Sequence, residues 1–258
     1  ALAGAVSCGR ADPPGVETLD EIRERGELIV LTLESPTTYH LDEDGEPEGY
    51  EVALVQNFAQ DLGVSVRFEP QRDLGQLMAN IEAGQGHLAA GGVTITEARQ
   101  EANTFGPAYK TVTEQLVCRR GGPRVRTIED MAEVEIAVLE GSSYIETLQA
   151  LKVDHPGIEW RTVNAASALP LLEQVQAEQV DCTVSDSTIV AHARLRFPEL
   201  LTPLVLSEER SLAFVLPLGS ELLQPLNRWS EARHEGGFLE RLDQRWFGVT
   251  HQFDYVDT

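Results

Sequence analysis

The chain has 258 residues, of which 42% are apolar, and its 20 basic against 42 acidic residues give a formal charge of −22. That length suits one large domain or two lobes of ordinary domain size, and the apolar share is enough for packed cores, which excludes a disordered chain. The sequence has no apolar run of about 18 residues to cross a bilayer as a helix, and so acidic a surface repels nucleic-acid phosphates and anionic lipid headgroups.

The acidic surplus reads as a solubility feature. None of its clusters has the spacing of a calcium loop, so no metal and no cofactor is expected. Residues 1–16 are small, polar and proline-containing, and read as a leader or tether. Within them, Cys8 follows the small, apolar stretch Ala1 to Ser7. This resembles the end of a bacterial lipoprotein signal with Cys8 as the acylated residue, although Ala5 stands where leucine is usual. The alternative is an ordinary chain terminus.

Thr18 to Arg25 predicts a short helix, with Thr18 capping and Glu21 completing a capping box. Leu28 to Leu33 predicts a strand, and Glu34 to Gly49 a polar loop. Tyr50 to Leu62 is a helix by its spacing of Val52, Val55, Phe58 and Leu62, closed by Gly63. Val64 to Phe68 reads as a strand. Asp73 caps a helix carrying Leu74, Leu77, Met78 and Ile81, and a small-residue strand runs from Leu88 to Ile95. The pattern then restarts. Strands are expected at 113–119, 135–139 and 180–185. Helices are expected from Thr127, from Ser142-Ser143 with Glu146 completing a capping box, and over 167–176. A late strand at 212–216 and two C-terminal helices close the chain. Alternating strands and helices predict a parallel-type sheet in each of two α/β halves, with a small-ligand cleft between them. Lobe 1 is expected over 17–110 plus 212–250, lobe 2 over 114–208, and a linker over 251–258. Cys118 and Cys182 lie in apolar strand-like runs. With an odd cysteine count and wide spacing they read as buried packing residues, not a disulfide framework.

The chemistry concentrates in Gly91-Gly92-Val93-Thr94-Ile95-Thr96-Glu97-Ala98-Arg99, followed by Phe105-Gly106-Pro107-Ala108-Tyr109. Glycine lets backbone approach a ligand, a threonine hydroxyl can donate to a carboxylate, and an arginine fork grips one through two charge-assisted bonds. Alone, the segment is equally a turn, a helix cap at Thr96 and a solvated arginine.

Its order with other motifs adds context. Gly49-Tyr50-Glu51 comes before it, and Gly141-Ser142-Ser143 and the acidic Asp186 come after. Together these resemble the periplasmic amino-acid-binding proteins, family 3 of the bacterial solute receptors, over residues 18 to about 250. The resemblance implies a two-lobed, type II periplasmic-binding-protein fold. It implies that Arg99, Gly92 and Thr94 hold the ligand α-carboxylate. Ser142 and Ser143 would meet the carboxylate or the ligand side chain from the opposite lobe, at a helix start that favours anions. Asp186 would accept from the α-ammonium, its alternative role being a helix N-cap. Glu51 replaces the family's usual aspartate, and Gly84-Gln85-Gly86-His87 departs from its Gly-x-x-Asp.

Glu34 to Tyr39, Leu242 to Gly248 and Phe253 to Asp257 further resemble the membrane-bound lytic murein transglycosylase F family, in which such a module precedes a lysozyme-like domain. This implies a periplasmic sensor, with an outer-membrane anchor if Cys8 is acylated, that binds an amino acid or peptidoglycan fragment and controls an enzyme domain farther along a longer protein. Tyr39 would then either pack over the ligand or cover the core edge. A free monomeric receptor feeding an ABC permease is the alternative. Two rivals of other classes are a dehydratase on the same scaffold, with His40, His87 and Glu140 as its loose acid/base candidates, and an inert spacer with a degenerate cleft.

Overall fold

A computed structural model describes residues 16–248. The chain opens with helix α1 (Leu19–Arg25), strand β1 (Glu27–Leu33), the short strands β2 (His40–Leu41) and β3 (Pro47–Glu48), helix α2 (Tyr50–Leu62), strand β4 (Ser65–Gln71), helix α3 (Leu74–Glu82) and strand β5 (Leu88–Ala90). Helix α4 (Glu97–Ala102) leads into strand β6 (Thr104–Val112), then strand β7 (Glu114–Arg119), strand β8 (Ile136–Leu139), helix α5 (Ser143–Asp154) and strand β9 (Arg161–Val163). Helix α6 (Leu169–Gln176), strand β10 (Cys182–Asp186), helix α7 (Ser187–Arg196), strands β11 (Leu200–Val205) and β12 (Arg210–Leu216), and helices α8 (Leu223–Glu235) and α9 (Phe238–Phe247) complete it.

Three local signals act as their chemistry predicts. Thr18 and Glu21 close a reciprocal capping box on α1, Asp73 accepts the Gln76 amide at 2.8 Å to start α3, and Gly63 ends α2 in the left-handed conformation. Gly49 is required: with φ at 155°, a Cβ there would meet the Thr38 carbonyl oxygen at 2.1 Å.

Two five-stranded sheets form, in the orders β4-β1-β5-β12-β6 and β11-β7-β10-β8-β9. Each has the expected parallel pairs and adds antiparallel ones. β1, β4 and β5 are parallel in the first sheet, and β8, β9 and β10 in the second. The strands at the crossing points, β6, β7, β11 and β12, pair antiparallel. A chain that leaves one sheet and returns must run back along it, so β12 inserts against β5 and β6. Separate cores back the sheets. Leu28, Val30, Phe58, Leu88, Phe214 and Leu226 pack in one, and Leu116, Val138, Leu148, Leu171 and Val184 in the other.

Several local expectations fail for identifiable reasons. The Leu88–Ile95 strand stops at Ala90, because positive φ at Gly92 turns the backbone. Residues from Thr127 form only a 3₁₀ turn over Glu129–Glu133, where Asp130 binds the Arg126 and Thr127 amides at 2.8 and 2.9 Å. The capping box of Ser142-Ser143 with Glu146 does not form, since the Ser142 hydroxyl donates to the Leu139 carbonyl and the Ser143 hydroxyl to Glu114, both at 2.6 Å. Strand β6 and helix α7 are not signalled by the period of their apolar residues.

The cysteine reading is also overturned. Cys118 and Cys182 form a disulfide, because β7 and β10 pair antiparallel with those two residues opposite each other. Cys8, the lipidation candidate, and the 251–258 linker lie outside the described residues. Among the described residues, no helix is long and apolar enough to cross a membrane.

Candidate functional site

A cleft opens where the carboxyl ends of the parallel strands in the two sheets face each other, the usual place for a small ligand in open α/β sheets. Its empty volume is about 750 Å³, open mouth included. The loop after β1 contributes Ser35, Thr37 and Thr38, and the loop after β5 contributes Gly91, Gly92 and Thr94. Facing them are Ser142 and Ser143 after β8, Ala166 to Ala168 after β9, and Asp186 with Thr188 at the end of β10. Of the seven ligand-binding residues expected from sequence, six therefore come together. Tyr39 does not line the cleft: its ring packs 5.4 Å from that of Phe68, at the core edge.

Arg99 lies in the first turn of α4, where Thr96 caps the helix by accepting the Arg99 amide at 3.4 Å. Its Nη1 donates to the Thr94 carbonyl at 2.7 Å and its Nη2 to the Gly141 carbonyl at 3.0 Å. The second bond joins the two lobes. A guanidinium has five N–H donors, so these bonds orient the fork and leave others for a ligand. Burial lowers the Arg99 pKa, opposed first by Glu146 and then by Tyr144, Asp186 and Glu114. It still carries its charge. Thr94 is held in place by β12, with the Ile95 amide on the Ser211 carbonyl at 2.9 Å and the Ala213 amide on the Val93 carbonyl at 3.1 Å.

Asp186 ends the central, fully buried strand of the second sheet and is 4% exposed. It stands at the N-cap of α7, but its side chain caps nothing, and its Oδ1 is buried with no partner among the described residues. Burial, and then the charge of Glu114, push its pKa up to about 7, while the Tyr144 hydroxyl, Arg99 and Arg210 pull the other way. A buried, half-unpaired carboxylate is unfavourable until a donor reaches it.

The two serines reach the cleft with their hydroxyls already bonded. Both line the cleft, but both hydroxyl protons are engaged. Ser142 donates to Leu139, and Ser143 donates to the buried Glu114 Oε1 at 2.6 Å while lying 3.2 Å from Thr94 Oγ1. Glu114 is 0% exposed, also accepts from Thr147, and has Arg210 Nε at 4.0 Å. It ties the start of α5 to the crossing strands. The only sequence signal for it is a charge at the head of an apolar strand.

Glu51 is the other residue to which sequence reasoning assigned no role. It sits in the first turn of α2, 3% exposed, and accepts the Gly92 amide at 2.8 Å and the Tyr109 hydroxyl on the same oxygen. Burial raises its pKa to about 7 against those two bonds. Phe247, the last residue of α9, also reaches the cleft wall, its ring 5.1 Å from that of Tyr50. By contrast, His40, His87 and Glu140 line no part of the cleft. His87 accepts the Ile29 amide at 3.0 Å and faces Glu17, so it supports β1. No group of three His, Cys, Asp or Glu side chains among the described residues is placed to hold a metal ion.

Comparison with known proteins agrees with this geometry. The profile of the bacterial extracellular solute-binding proteins, family 3, matches residues 28–249. A curated relative from Maricaulis maris, named membrane-bound lytic murein transglycosylase F, is 48% identical over all of this chain and 57% of its own length. One of the same name from Pseudomonas fluorescens is 35% identical over 93% of this chain and 50% of its own length. The chain thus spans about half the length of the curated relatives it matches. Among solved structures, an ancestral amino acid-binding protein described as a precursor of cyclohexadienyl dehydratase superposes with a TM-score of 0.76 at 25% identity, covering 89% of this chain and 98% of that one. A solute receptor for L-cysteine from Neisseria gonorrhoeae reaches 0.79 at 17% identity over 89% and 93% of the two chains, a likeness of fold alone. A two-lobed α/β fold, a cleft at the carboxyl ends of its strands and a family profile spanning nearly the whole described chain lead to one conclusion: the protein belongs to the bacterial extracellular solute-binding proteins, family 3.

Proposed function

We propose that this domain is a sensor that closes on an amino acid or a small peptide, such as a peptidoglycan fragment, and thereby regulates a lytic transglycosylase domain carried in the same longer protein. The observation that supports it most is the pairing across one cleft of a guanidinium from one lobe with a buried carboxylate from the other, Asp186, whose Oδ1 has no partner among the described residues. A zwitterion satisfies both: its carboxylate meets Arg99, Gly92 and Thr94, its ammonium meets Asp186, and its binding energy becomes closure energy. Lobe 1 over 17–110 plus 212–250 and lobe 2 over 114–208 are the bodies that close. The regulatory half of the reading leans on the names of the curated relatives. The disulfide fits an oxidising compartment, which for this family is the periplasm. Outer-membrane attachment through Cys8 belongs to the same proposal.

Titration calorimetry with amino acids and muropeptides tests it. Arg99→Ala is expected to weaken binding of any carboxylate ligand by roughly 100-fold or more, since a charge-assisted pair is lost. Unchanged affinity would remove Arg99 from the site. An in-frame transglycosylase domain after Thr258 favours the sensor. A stop codon there favours a monomeric receptor for an ABC permease.

A further inference from the structure

We infer that Glu51 is a second anchoring point in this cleft, accepting from a nitrogen donor of the ligand other than its α-ammonium, so that the solute carries two separate N–H-bearing groups. This rests on the sensor reading above and specifies its ligand.

Glu51 Oε1 is fully occupied by the Gly92 amide and the Tyr109 hydroxyl. That double bond set explains a structural role for one oxygen only. The other, Oε2, is buried and has no hydrogen-bond partner among the described residues. A desolvated carboxylate oxygen left unpaired is costly, and folded proteins avoid it unless something arrives to fill it. Glu51 lines the same cleft as Asp186, whose Oδ1 is likewise unpaired, and the two stand on opposite lobes. They are separate stations. Oε1 of Glu51 is tied to Gly92 and Tyr109 in the first lobe, whereas Asp186 stands at the head of α7 in the second. A single ammonium fixed against Asp186, with its carboxylate on Arg99, therefore leaves Glu51 unanswered. A side-chain amine would meet it as an ion pair, and a side-chain or peptide amide as a neutral donor.

Three solutes of similar side-chain length separate the cases by calorimetry on the wild-type chain: L-lysine with an amine, L-glutamine with an amide, and L-norleucine with no second donor. Lysine or glutamine is expected to bind about tenfold or more tightly than norleucine, and whichever leads identifies the donor. In Glu51→Gln, which keeps an acceptor for Gly92 but offers N–H where the ligand donates, that ratio is expected to fall to within about threefold. Norleucine binding as well as the others, or a ratio unchanged in a Glu51→Gln protein that melts cooperatively, overturns the inference while leaving the amino-acid sensor standing. No heat and no melting shift with any of the three counts against the amino-acid reading itself, and this inference falls with it. The wild-type ratios decide the matter even if the variant does not fold.

Discussion

Reducing the disulfide is the sharpest physical test of the second lobe. Cys118 and Cys182 are 64 residues apart, and the bond joins β7 to β10, the central strand that delivers Asp186. Opening a loop of that length returns chain entropy to the unfolded state, and the loop-closure relation gives roughly 4 kcal/mol at 25 °C. For a chain of this size that corresponds to a fall in melting temperature of about 8–16 °C. The assay is a thermal or urea melt with and without reductant, with mass spectrometry after alkylation to show that both thiols are free. The oxidised form should also hold a tighter Asp186 site, so ligand protection should shrink on reduction. A fully reduced protein melting within about 2 °C of the oxidised one would refute the reasoning, because the entropy argument admits no such result unless the unfolded chain stays compact there.

Other outcomes follow from the buried groups. Asp186 and Glu51 both have folded-state pKa values raised to about 7, against ordinary values of 3.8 and 4.5. The folded protein therefore binds more protons than the unfolded one between about pH 4 and 7, so the unliganded domain gains stability as pH falls through that window and loses it as pH rises through 7. Asp186→Asn should melt higher than wild type at pH 8, by on the order of 1–3 kcal/mol, with the gap closing towards pH 4, and should no longer bind α-amino acids. A gap that is constant with pH would assign the effect to something other than ionisation. Tyr39→Leu removes a ring packed on Phe68 outside the cleft, and should cost about 1–2 kcal/mol in a denaturant melt with affinity in the folded protein little changed. A large loss of affinity would return Tyr39 to the site. Gly49→Ala, which drives a Cβ into the Thr38 carbonyl, should destabilise by several kcal/mol or fail to fold, read as loss of soluble yield.

Many signals written within a few residues are legible in the sequence alone, although the box at Ser142-Ser143 and Glu146 gives way to bonds with Leu139 and Glu114. The capping box at Thr18 and Glu21, the cap at Asp73 and the stop at Gly63 depend on groups a turn apart, and each forms. The alternation of strand and helix, with its restart near residue 112, is enough to indicate two α/β halves. The order of Gly92, Thr94, Arg99, Ser143 and Asp186 gathers one cleft only through its resemblance to the solute-receptor family. What the sequence does not decide depends on partners far along the chain. Strand direction at the crossing points follows from the path back between sheets, and the Cys118–Cys182 bond from an antiparallel register that no spacing rule encodes. Which oxygen is satisfied also waits for packing. Ser143 is committed to Glu114, while Glu51 Oε2 and Asp186 Oδ1 are left without partners. Local hydrogen bonds compete over a few residues and can be read in order, but desolvation depends on everything that surrounds a group, so only the folded chain shows where this protein leaves room for a ligand.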